Sequence, residues 1–320
     1  MHAPIRQGDY TRLVPGDIVG GSAGMYRILK QLGEQGAMST VYMVQNLQDQ
    51  QTQTLKAVLD IKNMPDPSQG PDIIARFADE VKILSRINNE HVVRLIDRDP
   101  DPQPQFYVME YAFGGSLKSF LDNVKVQRRD QQISPASKAK VVAQILDGLN
   151  AFAIAAQRIA PAGTVSRFAH RDIKPDNIFI QLVNNVPASV KIADFGIVKL
   201  PDSDKTKTGI IMGTPSYMSP EAFMGAKDVD QRSDIWAMGA IFYWLMTGVE
   251  PFEYLEDRSN WPDFVARPGD HVKALMQRLD PNVPLPLWKI ISTALAPKPE
   301  GRYQTYRDFH LALINFVNSQ

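Results

Sequence analysis

Apolar positions along this chain fall first at the short period of strands and later at the longer period of helices. Residues 1–24 follow neither. They are polar, hold Pro4, Pro15, Gly16, Gly20, Gly21 and Gly24, and are expected to form an extended lead-in. Tyr26, Ile28 and Leu32 precede a Gly-containing turn, and Val41, Met43 and Leu47 follow it, which predicts strand, turn, strand. Thr54-Leu55-Lys56-Ala57-Val58 reads as a further strand. Over 72–88, Ile74, Phe77, Val81 and Leu84 make an i, i+3, i+7, i+10 stripe, the mark of a helix with one apolar side. Val92, Val93, Leu95 and Ile96 predict a strand, residues 97–105 a charged Pro-containing loop, and the run from Phe106 a further strand that Gly114-Gly115 ends.

From there the pattern is helical. Ser116 is a suitable N-cap for a helix. Residues 137–157 predict a long helix with Val141, Val142, Ile145, Leu146 and Leu149 on its buried side. Residues 157–169, with Pro161 and Gly163, read as a surface insertion. Ile178 and Phe179 form a short buried strand, and 190–192 another that ends in an acidic turn. The longest apolar stretch, 235–246, spans 12 residues, too few to cross a bilayer and right for a buried helix. A final helix covers 306–317, and the Trp and Met positions read as core. The order implies an α+β chain: a small antiparallel sheet with one helix, then a larger and mainly helical part.

Composition narrows the function. With 320 residues there is room for two lobes and ample core. The 35 basic and 35 acidic residues cancel, so nothing pulls the chain toward nucleic acid or a membrane surface. Zero cysteines exclude disulfides and cysteine-ligated zinc and suit a reducing compartment; the five histidines show no metal spacing. The first residues, Met-His-Ala-Pro-Ile-Arg, lack the apolar core of a signal peptide. A cytoplasmic location without a transmembrane segment is expected.

The chemistry gathers in 169–177, Ala-His-Arg-Asp-Ile-Lys-Pro-Asp-Asn, a polar loop between apolar elements. An aspartate (Asp172) can accept a hydroxyl proton, a lysine (Lys174) can meet developing negative charge, and an asparagine (Asn177) can bind a hard cation. The bland reading is a solvated loop with incidental charges. Against it, His-Arg-Asp-x-Lys-Pro-x-Asn resembles the catalytic loop of the protein kinase family. Further motifs resemble that family in the right order. Asp194-Phe-Gly follows Asp172 by 22 residues, with a hairpin between. Lys56 follows Val41 by 15 residues, the family's usual interval for the strand lysine that reaches the ATP phosphates. Lys62 competes with it only where the strand is ending. Glu80 lies beside the apolar stripe of its helix, so it is the expected ion-pair partner of Lys56, ahead of its neighbour Asp79.

The resemblance implies a bilobal kinase domain over 25–317: an N-lobe at 25–108, a hinge at 109–113 and a C-lobe at 114–317, after an extension at 1–24. The nucleotide is expected on Gly33, Gly36, Ser39 and Val41 of the Gly-rich loop, on Lys56, on Met109 as gatekeeper, and on the backbone of Glu110 and Ala112. That loop departs from the family pattern: Ser39 and Gly36 occupy the third and second glycine places, Glu34 falls on the first and Gly33 lies one residue early. Asn177 and Asp194 are the expected ligands for magnesium or manganese, and Asp172 and Lys174 the catalytic pair. Residues 197–221 resemble an activation segment ending in Gly-Thr-Pro and Ser-Pro-Glu. There Thr206 and Thr208 are expected phosphosites, with Arg171 to bind the phosphate, or else the stretch is a plain solvated loop. Asp234 is expected to brace the catalytic loop, Arg302 to pair with Glu221, and His170 to be structural. Lys174 and Thr214 resemble the serine/threonine subtype, and the Met-Ser ending of the Gly-rich loop resembles bacterial (eukaryotic-like, Hanks-type) kinases. The implied function is Mg·ATP-dependent phosphorylation of protein Ser and Thr hydroxyls in signalling, with autophosphorylation in trans between paired chains. The rival expectation is a pseudokinase, a nucleotide-binding scaffold without turnover.

Overall fold

The computed structural model describes residues 10–33, 39–58, 70–101, 105–126, 133–159, 169–183, 186–195, 214–225, 229–278 and 283–319. It divides into two compact units, one comprising residues up to 88 with 93–111, the other 89–92 with 112 onward.

The first unit is an antiparallel sheet with one helix. Its strands are β1 (Ile18–Gly20), β2 (Met25–Leu32), β3 (Ser39–Asn46), β4 (Thr52–Val58), β5 (Leu95–Arg98) and β6 (Phe106–Glu110), in the order β1-β2-β3-β4-β6-β5. The helix, α1, runs Gly70–Leu84, two residues earlier at its start and four shorter at its end than the stripe predicts. On β3 the buried positions are Thr40, Tyr42, Val44 and Asn46, so Val41 and Met43 lie on the opposite, half-buried face. Tyr26, Ile28, Tyr42, Val44, Leu55, Ala57, Phe106 and Val108 form the core of the unit.

Residues 10–24 differ from the expected extended lead-in. Tyr10–Arg12 is a short 3-10 helix, Ile18–Gly20 pairs with β2, and Leu13 and Val19 join the core. The segment is fixed by contacts that no local period announces. The buried Asp97 on β5 accepts hydrogen bonds from the Ala23 N–H (3.0 Å) and the Tyr26 hydroxyl (2.8 Å), and Ser22 N–H donates to the Arg98 carbonyl (2.9 Å). The β1–β2 turn is thereby tied to β5, the strand at the far edge of the sheet order, and the sheet curls.

The second unit is helical apart from the hairpin of β7 (Ile178–Val183) and β8 (Val186–Ile192). Its helices are α2 (Leu117–Val126), α3 (Pro135–Ile159), α4 (Pro220–Phe223), α5 (Gln231–Thr247), α6 (Trp261–Ala266), α7 (Pro268–Met276), α8 (Leu285–Ala294) and α9 (Tyr306–Asn318). Ser116 caps α2, its hydroxyl accepting the Ser119 N–H at 3.2 Å. Gly114 is required where it stands: a Cβ there would lie 2.5 Å from the Ile180 carbonyl oxygen, to which Gly114 N–H donates at 3.0 Å. Every residue of α5 from Ser233 to Met246 is buried, as its apolar run predicts. Among the described residues one helix, α3, is long and apolar enough to cross a membrane. Its apolar side, including Val142, Ile145, Leu146, Leu149 and Phe152, is buried in a unit where α3 packs against α9, β8 and α5. Not every Trp and Met is core: Trp261 is half-buried and Met224 is exposed.

Candidate active site

In the first unit, β4 carries Lys56 into the interior because its neighbours Leu55 and Ala57 hold the strand between β3 and β6. A buried ammonium needs an opposite charge and acceptors for its protons. Glu80 supplies both. Lys56 Nζ lies 3.0 Å from Oε1 and 3.2 Å from Oε2, with 4 % exposure for the lysine and none for the glutamate. The Tyr107 hydroxyl on β6 donates to Glu80 Oε1 at 2.8 Å and completes the pocket, a partner the sequence reading does not include. Asp79, one residue away, faces outward and pairs with Lys82 at 3.0 Å.

The nucleotide candidates of this unit divide. Val41 pairs with Lys56 and with Leu32 across the sheet, and Ser39 pairs with Val58. Gly33 has φ +70, a left-handed turn that glycine adopts without strain. Gly36 lies outside the described residues. Met109 is buried. The Glu110 N–H donates to the Arg94 carbonyl (3.1 Å) and its carboxylate accepts the Arg94 N–H (2.7 Å). A ligand at Glu110 would therefore use its carbonyl. Ala112 is half-buried at the start of the second unit.

In the second unit the 169–177 loop rests on α5. Arg171 has φ +65, and the turn aims two successive amides at one carboxylate: His170 N–H and Arg171 N–H donate to Asp234 at 2.6 and 2.8 Å. Tyr306, at the start of α9, donates its hydroxyl to the same group. Burial pushes the Asp234 carboxyl up to about 6, although these three hydrogen bonds pull the other way. Tyr306 is a second partner that the sequence reading does not include. The His170 ring packs 5.1 Å from Phe195, which stacks on Phe152 at 4.7 Å; this aromatic wall agrees with a structural histidine.

On this support stand the polar groups. Lys174 Nζ is 3.5 Å from Asp172 Oδ2, and Asn177 Nδ2 donates to the Asp172 carbonyl (2.9 Å) and carboxylate (3.3 Å). Burial raises the Asp172 pKa above the usual carboxylate value; Lys174 lowers it, and the charge of Asp194 adds to the rise. Asp194 itself sits at φ +57, a strained conformation of the kind found at working sites. Asp172 and Asp194 thus repel within one region, while the Asn177 amide nitrogen is engaged and its oxygen is the atom that suits a cation. Carboxylate and amide oxygens are hard ligands, the set magnesium takes. Arg171 Nη2 donates to the Val229 carbonyl at 3.0 Å. Thr206 and Thr208 lie outside the described residues. Arg302 forms a two-pronged bond to Glu221 (2.7 and 2.8 Å) and also donates to the carbonyls of Ala296, Pro297 and Arg232.

Residues 26–307 match the family model described as protein kinase domain. The chain belongs to the protein kinase family. Serine/threonine-protein kinase Pkn1 of Myxococcus xanthus is 32% identical over 92% of this chain and 39% of its own length. Serine/threonine-protein kinase PknL of Mycobacterium tuberculosis H37Rv is 33% identical over 78% of this chain and 52% of its own. Tyrosine-protein kinase MasK of M. xanthus is 27% identical over 92% of this chain and 43% of its own. The chain therefore spans about two-fifths to a half of the length of these bacterial relatives. The bilobal α+β kinase fold is the one its two units carry.

Proposed function

We propose that the chain is a serine/threonine protein kinase that transfers the γ-phosphoryl group of ATP to hydroxyls of protein substrates. The observation that carries this reading is the Asp172, Lys174 and Asn177 cluster, held on a loop that a buried carboxylate anchors from beneath. Asp172 orients the substrate hydroxyl and takes its proton as the oxygen bonds to the γ-phosphorus and the bond to ADP breaks. Lys174 stabilises the charge on the moving group. Lys56, fixed by Glu80, positions the α- and β-phosphates. The Gly33–Val41 loop and the backbone at Glu110 and Ala112 hold the rest of the nucleotide. Asn177 and Asp194 would hold magnesium, which would supply positive charge against the negative charge of the phosphates. Positioning and electrostatics supply the catalysis.

Lys174 and Thr214 support Ser and Thr over Tyr as acceptors. Autophosphorylation at Thr206 or Thr208, answered by Arg171, is the regulatory part of the proposal, and reaction in trans would require two chains to meet. The pseudokinase reading has only the irregular Gly-rich loop behind it, whereas Lys56, Asp172, Asn177 and Asp194 are all present.

Intact mass before and after incubation with Mg·ATP tests this, with Asp172→Asn alongside. Added phosphate on the wild type, with the rate in the variant lower by about 10²–10⁴, is the expected result. Phosphoamino-acid analysis should find phosphoserine or phosphothreonine. A rate per chain that rises with protein concentration would mark transfer in trans. A wild type that gains no phosphate and labels no protein substrate supports the scaffold instead.

A further inference from the structure

On the sheet of the first unit, side chains of β3, β4 and β6 stand in two neighbouring rows on the face that bears Lys56. Val41, Lys56 and Tyr107 make one row; Met43, Thr54 and Met109 make the next. Residues two apart on a strand point to the same side, so Thr54 stands beside Lys56. Lys56 and Tyr107 are both engaged by Glu80. Thr54 has no part in the chemistry above.

Thr54 is 6 % exposed, and its hydroxyl has no hydrogen-bond partner among the described residues. Buried hydroxyls normally have one. The side chains opposite it on either strand are Met43 and Met109, whose thioethers are weak acceptors at best. Packing between two methionines asks for a methyl group and not for an oxygen. The family's strand signature, Val-Ala-Ile-Lys, has an alanine at this place, whereas the chain reads Gln53-Thr54-Leu55-Lys56. The hydroxyl is therefore an addition that the fold leaves unused, on the face where the nucleotide is proposed to bind.

We infer that the Thr54 hydroxyl donates a hydrogen bond to N7 of the adenine ring, which makes Thr54 a base-reading residue of the nucleotide site. This rests on the kinase reading and deepens it. Along one edge adenine presents N6–H as a donor and N7 as an acceptor. Glu110 offers a carbonyl, the partner that N6–H needs. Strand β6 ends at Glu110, and the residue before it, Met109, is the one opposite Thr54. With N6 at Glu110, one neighbouring ring nitrogen, N1, falls toward the outgoing chain, and the other, N7, falls toward Met109 and Thr54.

The test measures Kd by calorimetry, with magnesium present, for ADP and for 7-deaza-ADP, which has a C–H in place of N7. Wild type, Thr54→Ser and Thr54→Val are compared. Wild type should prefer ADP by about three- to tenfold, the size of one neutral hydrogen bond. Thr54→Ser should keep the preference, and Thr54→Val should bind the two nucleotides alike. The same ratios should recur in KM for ATP and 7-deaza-ATP. Valine has the shape of threonine and gives up no protein partner, so Thr54→Val should unfold in urea no earlier than wild type. A wild type indifferent to N7, or a preference for N7 that Thr54→Val retains, overturns the inference and leaves the kinase reading standing. A clear loss of stability in Thr54→Val overturns it too, because the hydroxyl would then serve the fold. Absence of binding by either nucleotide overturns the kinase reading and this inference with it.

Discussion

Each unit of this kinase domain buries a carboxylate, Glu80 with no exposure and Asp234 with 2 %, and the two are satisfied by different means. Glu80 meets an opposite charge: the Lys56 ammonium sits on it and the Tyr107 hydroxyl takes one oxygen. Asp234 meets two backbone amides and the Tyr306 hydroxyl. The first arrangement ties two side chains; the second ties a side chain to the path of the backbone. A carboxylate that holds amides fixes where a loop runs, and the loop so fixed bears Asp172. A carboxylate that holds a lysine fixes only where that ammonium points.

The comparison breaks first at the ion pair, where the largest effect is expected. Lys56→Met leaves Glu80 buried and uncompensated, and removing one partner of a buried pair costs about 3–5 kcal/mol. Glu80→Gln added to Lys56→Met removes the stranded charge and still offers an oxygen to Tyr107. The double variant should recover more than half of the lost stability in urea unfolding, yet neither variant should transfer phosphate. Recovery of transfer along with stability would mean that Lys56 serves only the fold.

Next comes the amide-holding carboxylate. Asp234→Ala strands the His170 and Arg171 amides and the Tyr306 hydroxyl, at about 1–3 kcal/mol for each group left unsatisfied, less whatever water recovers. Asp234→Asn keeps one acceptor and should lose less. Tyr306→Phe removes a single donor and should cost about 1 kcal/mol. The informative readout is the ratio of effects: Asp234 variants should lose kcat out of proportion to stability, because the loop bearing Asp172 loses its path.

What the sequence made legible follows the same division. Lys56, Glu80, Asp172, Lys174, Asn177 and Asp194 stand at telling intervals, since chemistry that depends on side-chain type leaves its mark in residue identity. Gly33 in its left-handed turn, the capping Ser116 and the apolar run of α5 were readable for the same reason. Tyr107 and Tyr306 were not. An aromatic in a strand or at a helix start reads as packing, and only the fold shows whose oxygen its hydroxyl meets. Residues 10–24 were misread because three residues of β1 are too few to show alternation, and their anchor, Asp97, lies 71 positions beyond Tyr26. The register of β3 slipped by one because Tyr42 and Val44, rather than Val41 and Met43, face the core.

The two carboxylates of the second unit sharpen the comparison through pH. The Asp234 pKa is raised from 3.8 to about 6, so the folded state binds its proton more tightly than the unfolded chain does. Stability from this group is therefore greatest at low pH and falls as pH rises from about 4 to about 6, by roughly 3 kcal/mol at 1.36 kcal/mol per unit. Asp234→Asn lacks that dependence. Its stability relative to wild type should improve steadily across this window, as midpoints of urea unfolding at several pH values would show. Asp172 is raised too, by burial first. If Asp172 takes the hydroxyl proton as proposed, the acid limb of kcat should accordingly lie above the ordinary carboxylate range, and a limb at or below it would contradict the buried setting of Asp172.

The smallest effect tests the rotation of α1. Asp79 and Glu80 are neighbours, and the side of the helix that each occupies decides which one meets Lys56. Asp79 is paired with Lys82 at the surface, where side-chain exposures of 29 % and 59 % leave the pair in water. Exposed pairs of this kind contribute at most about 0.5 kcal/mol, because the attraction is screened and two long side chains must be held still. Asp79→Ala should shift stability by no more than that and leave phosphate transfer as it was. Glu80→Ala, one residue on, strands both the Lys56 ammonium and the Tyr107 hydroxyl and should cost several kcal/mol together with transfer. Similar losses from the two substitutions would mean that α1 is rotated from the position in which Glu80 alone faces β4, and the distinction between a buried pair and a solvated one would fail with it.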